Sequence, residues 1–232
     1  MIFRQHFDPA TSTYTYLVGD AASGEAALID PVLEHVPRYV ELLRDLGLRL
    51  VYTLETHVHA DHVTGAAALR EAVGSRSVVH RDAGADCADV LVSHGDELRV
   101  GGLVLRALYT PGHTAGDVSW LLGDRVFTGD ALLIGGCGRT DFQQGSAERL
   151  YDSIHDRLFA LPPDTLVYPG HDYHRRSVST IGQEQAHNAR LGGGRTRDDF
   201  VQLMANLDLP YPRAIDHALP ANQACGRERP AA

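Results

Sequence analysis

Residues 56–62 read Thr56-His57-Val58-His59-Ala60-Asp61-His62. Three imidazoles and one carboxylate therefore fall within six consecutive positions, directly after the apolar residues 50–54. Imidazole and carboxylate groups are ligands of catalytic metal ions, and composition alone rarely produces an H-x-H-x-D-H string. A solvated, His-rich loop is the alternative interpretation. The stretch predicts a metal centre on a loop that follows a short buried strand.

Length and charge limit the class of protein. The chain has 232 residues, of which 44% are hydrophobic, enough to bury a substantial core in one α/β domain. Its 21 Lys and Arg against 30 Asp and Glu give a net charge of −9, which argues against nucleic acid or an anionic membrane as a bulk partner. Because the sequence contains neither a long apolar run nor an apolar or Arg-rich leader at its start, we expect a soluble cytoplasmic protein.

The three cysteines are Cys87, Cys137 and Cys225, widely spaced and without a C-x-x-C. This pattern indicates neither a disulfide framework nor a zinc knuckle, and it favours a reducing compartment. We expect Cys87 and Cys225 to be structural. Cys137 lies in a Gly-rich run, where a redox or regulatory role is the alternative to a small buried side chain.

Several other strand-like segments also end in residues that bind metals. Turn signals between β-prone runs predict hairpins over 13–29, 98–109 and 118–127, and apolar spacing predicts helices over 36–46, 66–73 and 148–161. Later runs end in Pro111-Gly112-His113, Thr128-Gly129-Asp130 and Pro169-Gly170-His171. Strands and helices in both halves predict an α/β fold of two packed sheets covered by helices, an αββα sandwich, with these loops at one edge.

From residue 177 onward the chain becomes more polar, with a Gly192-Gly193-Gly194 break and a short helix predicted over 198–206. We expect a single domain over 1–232, with a core at about 1–176 and a C-terminal extension at about 177–232. The residues from 227 onward are expected to be frayed.

Seven side chains form the candidate ligand set: His57, His59, Asp61, His62, His113, Asp130 and His171. Nitrogen and oxygen donors favour a catalytic zinc or iron over a closed thiolate site, although a structural metal is an alternative. On spacing alone, two zinc ions would be the natural interpretation.

The order of these residues resembles the metallo-β-lactamase superfamily, in which an H-x-H-x-D-H loop is followed by a distant His, an Asp and a last His. The resemblance implies the αββα fold, with His57, His59 and His113 at a first metal. It implies a second metal at Asp61, His62 and His171, with Asp130 as a bridge.

A more particular resemblance is to the persulfide dioxygenases. It rests on residues 129–143, on His171-Asp172-Tyr173, on Val178-Ser179-Thr180-Ile181, and on the tail motifs 206–210 and Pro220-Ala221-Asn222. This resemblance implies an enzyme that oxidises glutathione persulfide with O₂ to glutathione and sulfite on one non-haem Fe(II) per chain. The implied iron ligands and catalytic residues are His57, His113 and Asp130, while His59, Asp61, His62 and His171 would orient them through hydrogen bonds. Asn188-Ala189-Arg190 departs from the expected Asn-Pro-Arg.

Glutathione carries two carboxylates, so we expect a forked cation at its site. Arg139 and Tyr173 are the candidate substrate contacts, and a structural ion pair of Arg139 with Asp141 is the alternative. A rhodanese-type sulfurtransferase partner and a homodimer are further expectations.

Two other functions compete with the dioxygenase. A glyoxalase-II-like dinuclear thioesterase, which hydrolyses glutathione thioesters, uses the same seven ligands and also has a Gly-Cys-Gly-Arg run. The His171-Asp172-Tyr173 motif, residues 178–181 and the tail favour the dioxygenase. A non-catalytic metal-binding or sulfur-carrier module would bind metal without turnover.

Overall fold

The computed structural model describes residues 1–85 and 87–227. The strands in this range are β1 (Ile2–Asp8), β2 (Thr13–Asp20), β3 (Glu25–Ile29), β4 (Arg49–Leu54), β5 (Arg76–His80), β6 (Val90–Val92), β7 (Glu97–Val100), β8 (Leu103–Tyr109), β9 (Val118–Leu122), β10 (Arg125–Gly129), β11 (Leu166–Pro169) and β12 (Ser179–Thr180). The α-helices are α1 (Val36–Asp45), α2 (Ala66–Val73), α3 (Ala147–Ser153), α4 (Ile181–His187), α5 (Arg197–Ala205) and α6 (Ile215–Gln223). We expected residues 227–232 to be frayed, and of these all except Arg227 lie outside the described residues.

Two six-stranded sheets form the centre of the fold. The first runs in the order β1 to β6, antiparallel through β3 and parallel from β3 onward. The second has the order β12-β11-β10-β9-β8-β7 and is antiparallel except for the parallel pair β10 and β11. Large side chains from both sheets, including Tyr16, Trp120 and Phe127, share one buried cluster and hold the sheets face to face.

Helices cover the outer face of each sheet. In α1, Val36, Tyr39 and Leu43 recur at helical spacing and pack with Leu69 of α2 on the first sheet. On the second sheet, α3 and α5 bury Leu150 and Phe200 in one cluster. This arrangement confirms the predicted αββα sandwich.

The predicted hairpins form as β2–β3, β7–β8 and β9–β10. Strand β1 was not predicted; it pairs along its whole length with β2. Helix α6 was not predicted either, because Pro220 inside the helix interrupts the helical pattern of its sequence. None of the helices in the described part of the chain combines the length and the apolar character that crossing a membrane requires.

The C-terminal residues fold back onto both halves of the protein. Strand β12 joins the edge of the second sheet, while α6 lies against the loop after β4. The division into a core and an extension stays a prediction.

The expectation that the cysteines form no disulfide is wrong, because Cys87 and Cys225 are joined across a sequence separation of 138 residues. Tertiary folding brings their Cα atoms to 6.0 Å, which spacing along the chain does not indicate.

Candidate metal centre

The structure brings His57, His113 and Asp130 together from three separate loops. One potential ligand atom from each lies within 4.8 Å of the other two. His113 Nε2 is 3.7 Å from Asp130 Oδ2, and the rings of His57 and His113 meet edge to face with centroids 4.9 Å apart. Their positions follow from the fold, since strands β4 and β10 end at the same edge of the sandwich and the turn after β8 delivers His113.

Hydrogen bonds at the far nitrogens fix the orientation of both imidazoles. The Thr56 hydroxyl donates to Asp30 Oδ2 at 2.8 Å, so it accepts from His57 Nδ1, which lies 3.0 Å away. His113 Nδ1 donates to the Arg139 carbonyl oxygen at 2.7 Å. Each ring therefore keeps the Nε2 lone pair free on the side that faces the cluster, as a metal ligand requires.

The charge state of His57 agrees with this role. Burial, together with repulsion from His59 and His113, lowers the pKa of His57 well below its ordinary value. The imidazole is therefore neutral at physiological pH and able to donate a lone pair to a cation.

A chain of hydrogen bonds runs from Asp130 through His171 to Asp61. His171 Nδ1 donates to Asp130 Oδ1 at 2.6 Å, and His171 Nε2 lies 3.0 Å from Asp61 Oδ2. Burial by itself lowers the pKa of His171, but attraction to Asp130 and Asp61 raises it well above its ordinary value. Burial would raise the pKa of Asp130, yet His171 and then His113 hold it well below its usual range. Both carboxyls flank a positively charged ring.

The remaining imidazoles of the loop lie behind the cluster. His59 Nε2 is 3.1 Å from Asp30 Oδ1 and 3.5 Å from Glu55 Oε2, with all three side chains buried. Burial lowers the pKa of His59, but Asp30 and Glu55 outweigh it and raise that pKa to about 10. His62 Nδ1 donates to Asp61 Oδ2 at 2.9 Å. Two further groups have potential ligand atoms within 4.8 Å of one another, namely Asp30 with Glu55 and His59, and His59 with Asp61 and His62.

Glycine is required where the Gly-rich run passes the site. A Cβ at Gly138 would lie 2.6 Å from the Asp130 carbonyl oxygen and 2.7 Å from His113 Nδ1. Beside it, Cys137 is 3% exposed, and burial raises the pKa of its thiol to about 11. Such a thiol stays protonated and unreactive at neutral pH.

A cavity of about 690 Å³ opens in front of the cluster. Its lining includes His57, His113, Asp130 and both predicted substrate contacts, Arg139 and Tyr173. The volume is within the range of about 300–1,000 Å³ that is typical of small-molecule sites.

Two of the four arginines in the cavity lining, Arg139 and Arg176, are paired with carboxylates. Arg139 Nε and Nη2 bind the two carboxylate oxygens of Asp141 at 2.6 and 2.7 Å, and Nη1 donates to the Pro210 carbonyl oxygen at 2.8 Å. Arg176 pairs with Asp172. The exposed side chain of Arg213, also in the lining, makes no ion pair or hydrogen bond with any described residue.

Three residues of the site were not predicted from the sequence: Thr56, Asp30 and Asn222. The only signal for Thr56 was its position before the first histidine. The only signal for Asp30 was its position at the end of a predicted strand. Asn222 belonged to a tail motif quoted only for its resemblance. Its contact with the metal loop, residues 55–65 between β4 and α2, depends on how the C-terminal residues fold back.

The comparisons with known proteins agree with this geometry. The metallo-β-lactamase superfamily pattern matches residues 8–171. The human mitochondrial persulfide dioxygenase ETHE1 is 51% identical over 235 residues, covering 100% of this chain and 91% of that protein. The crystal structure of ETHE1 from Myxococcus xanthus superposes with a TM-score of 0.96 at 56% identity, covering 98% of this chain and 100% of the other.

A hydroxyacylglutathione hydrolase from Cereibacter sphaeroides is 41% identical over 170 residues, which is 70% of this chain and 64% of that protein. The fold and the site define a metal centre of the metallo-β-lactamase type. Within that superfamily, the chain belongs to the persulfide dioxygenase family, as the resemblance in the sequence implied.

Proposed function

We propose that this protein is a persulfide dioxygenase that binds one Fe(II) per chain through His57, His113 and Asp130. It would oxidise glutathione persulfide with O₂ and water to glutathione and sulfite. Two observations support the proposal: the family to which the chain belongs, and three convergent donor atoms of the 2-His-1-carboxylate type. Both histidines have their other nitrogen occupied, which suits them to hold an ion through Nε2.

The observation that supports one bound ion over two is the hydrogen-bonded chain Asp61–His171–Asp130. A dinuclear site of this superfamily would use His171 and Asp61 at the second ion and Asp130 as a bridge. Here both nitrogens of His171 face carboxylate oxygens, at 2.6 Å and 3.0 Å. With both nitrogens directed at carboxylates, we propose that His171 orients Asp130 through a hydrogen bond and does not bind a second ion.

When bound, ferrous iron on such a ligand set supplies three open coordination positions, enough for a persulfide sulfur and O₂. The protein contributes fixed geometry. Thr56 and the Arg139 carbonyl hold the two rings, and His171 holds the carboxylate of Asp130 and offsets its charge. In the overall reaction the terminal sulfur gains two oxygen atoms from O₂ and one from water, and it leaves the glutathione sulfur as sulfite.

The cavity offers contacts for the rest of the substrate. We propose that Arg139 and Tyr173 contact glutathione, as expected from the two carboxylates of that substrate and from the positions of these residues beside Asp130 and His171. Because Asp141 and Pro210 occupy the guanidinium of Arg139, we add Arg213, an exposed cation of the lining with no partner among the described residues, as a further contact for a substrate carboxylate. Arg213 lies in the C-terminal residues, so the tail would help to select the substrate.

The thioesterase remains the second candidate, because it would use the same loops. What favours it is the match to the hydroxyacylglutathione hydrolase, but that match covers less of both chains than the match to the human persulfide dioxygenase does. A cytoplasmic location, a rhodanese-type sulfurtransferase partner and a homodimer are further parts of our proposal.

Metal stoichiometry in matched variants tests the site. The protein is loaded with Fe(II) under anaerobic conditions, and iron per chain is measured for wild type, His57→Ala and His62→Ala. We expect one iron in wild type, almost none in His57→Ala and close to one in His62→Ala. Two metals in wild type, loss of one in His62→Ala, and hydrolysis of a glutathione thioester would establish the thioesterase instead.

A further inference from the structure

The side chain of Asn222, in α6, is built into the back of the metal loop. It is 4% exposed, and it lies 163 residues from His59 in the sequence. Its Nδ2 donates to the carbonyl oxygens of His59 at 2.9 Å and His62 at 2.8 Å, while its Oδ1 accepts from the Thr64 amide at 2.8 Å. One amide thus satisfies three backbone groups of the loop that carries His57.

Only an asparagine-like side chain fits this position. The two carbonyl oxygens and the one amide of the loop require a short side chain that carries two donors and one acceptor. A buried backbone group that loses its hydrogen-bond partner destabilises the fold. The loop itself has no regular secondary structure between β4 and α2 to hold these groups. Asn222 therefore replaces the hydrogen bonds that a strand or helix would otherwise supply.

The residues just after α6 contact both the metal loop and the first turn of α2. The Cys225 carbonyl oxygen accepts from the Ala67 amide at 3.1 Å. Gly226 approaches Thr64 so closely that a Cβ there would lie 2.2 Å from the Thr64 carbonyl oxygen. The cavity left between loop and helix is only about 10 Å³, room for roughly one water molecule.

The Cys87–Cys225 disulfide is the covalent part of this docking. Cys87 lies in the segment between β5 and β6. Cys225 lies two positions after the end of α6 and three residues after Asn222, so the disulfide joins these two segments. Cys225 is buried, whereas Cys87 is partly exposed, so a reductant can approach from the Cys87 side. A disulfide that is accessible in a reducing compartment opens and forms with the thiol redox state.

We propose that Asn222 is a positioning residue of the metal centre and that the Cys87–Cys225 disulfide controls how firmly it holds the metal loop. In the oxidised protein the loop is rigid and retains its metal. Reduction loosens α6, the amide of Asn222 leaves the carbonyls of His59 and His62, and the loop releases metal faster. The part that concerns metal rests on the proposed function, whereas the coupling of disulfide to loop does not.

The redox step balances with a dithiol as reductant. Two electrons and two protons pass to the sulfurs of Cys87 and Cys225, the bond between them breaks, and the dithiol leaves as its own disulfide. The third cysteine, Cys137, is buried and does not take part.

Amide hydrogen exchange of the metal-free full chain tests the coupling directly. We expect exchange of residues 58–64 to accelerate about tenfold on reduction with a dithiol, on Asn222→Ala, and in the double variant Cys87→Ser/Cys225→Ser. Exchange in α3 should change much less. Asn206→Ala is the matched control, because within the described part of the chain that side chain donates only to the carbonyl oxygen of Gln202 in α5.

The combined effect of reduction and Asn222→Ala distinguishes a positioning role of Asn222 from a general loss of stability. If Asn222 transmits the effect, a dithiol should add little to loop exchange in Asn222→Ala. The rate of Fe(II) release, measured by transfer to a chelator, should rise about tenfold under the same three conditions, in line with the 10–100-fold effects of residues behind metal ligands.

Loop exchange in wild type that is the same before and after reduction would overturn the redox part, and this arm needs no variant. Asn222→Ala that folds but leaves loop exchange and Fe(II) release unchanged would overturn the positioning role. Should the protein bind no iron at all, the exchange measurement still decides the coupling, so the two proposals fail separately.

Discussion

His171 lies between two carboxylates, with Nδ1 2.6 Å from Asp130 Oδ1 and Nε2 3.0 Å from Asp61 Oδ2. The hydrogen bond to Asp130 leaves Oδ2 of that carboxylate facing His113 Nε2 at 3.7 Å. His171 therefore orients the carboxylate of Asp130, a proposed ligand, through a hydrogen bond. In the proposed single-iron site this relationship makes His171 an orienting residue, whereas in a dinuclear centre the same histidine would bind metal.

Replacement of His171 should weaken iron binding without changing its stoichiometry. His171→Ala removes the donor that orients Asp130, and we expect the affinity for Fe(II) to fall about 10–100-fold with saturation still at one ion per chain. His171→Asn keeps an N–H near the position of Nδ1 and should recover part of the affinity. The measurement is a competitive titration against a chelator. A drop from two ions to one in His171→Ala would contradict this account.

Gly138 should be essential for the position of His113. A methyl group there would lie 2.7 Å from His113 Nδ1 and displace the ring from the Arg139 carbonyl. We expect Gly138→Ala to lower Fe(II) affinity at least about tenfold. Gly136→Ala is the control, since the nearest atom to its added Cβ is Arg190 Nε at 3.9 Å. Equal affinity in the two variants would show that the close approach is unimportant.

Two arginines of the cavity should behave differently when they are replaced. Arg213→Ala removes a cation without a partner among the described residues, so we expect KM for the persulfide to rise several-fold with kcat and iron content unchanged. Arg139→Ala also leaves Asp141 unpaired and frees the Pro210 carbonyl, so a rise in KM should come with lower stability. Steady-state O₂ uptake and thermal unfolding provide the measurements. An unchanged KM in Arg213→Ala would remove that residue from the substrate site.

The buried carboxyl of Asp117 should give the metal-free protein a characteristic pH dependence. Burial, opposed by His113 and by hydrogen bonds from Thr114, raises its pKa from 3.8 to about 6. Since the folded pKa is above the unfolded one, the carboxyl stabilises the fold below about pH 4, and this contribution is lost as the pH rises to about 6. The shift corresponds to roughly 3 kcal/mol at most.

Urea unfolding at several pH values isolates this contribution. The free energy of unfolding of wild type minus that of Asp117→Asn should decline between about pH 4 and pH 6 and be constant above it. Asp124→Asn, at an exposed position, is the control. A difference that does not vary with pH would mean that Asp117 titrates normally in the folded protein.

Local patterns in the sequence predicted much of the fold and the metal loop. Alternation and turn residues identified β2–β3, β7–β8 and β9–β10, and each strand-end motif reached the predicted edge because rigid sheets fix where loops begin. Strand β1 was missed because polar residues such as Arg4 and Gln5 interrupt its apolar pattern. The last helix was missed because Pro220 weakens the helical signal.

Contacts between segments that are far apart in the sequence could not be predicted. The Cys87–Cys225 pair and the Asn222 amide depend on how the tail returns to the metal loop, and residue spacing carries no information about that path. The ion pair of Arg139 with Asp141, weighed as an alternative, is present in the structure, whereas the open side chain of Arg213 was not expected.

Consumption of O₂ is the measurement that distinguishes dioxygenase chemistry at a single iron from hydrolysis at two metals. The protein is loaded anaerobically with one Fe(II) per chain and mixed with glutathione persulfide in a buffer of known O₂ content, and O₂ and sulfite are followed together. We predict one O₂ consumed for each sulfite formed, with no consumption in His57→Ala. Persulfide left intact with no O₂ uptake, alongside hydrolysis of a glutathione thioester by the same preparation, would show that the protein is a thioesterase and not a dioxygenase.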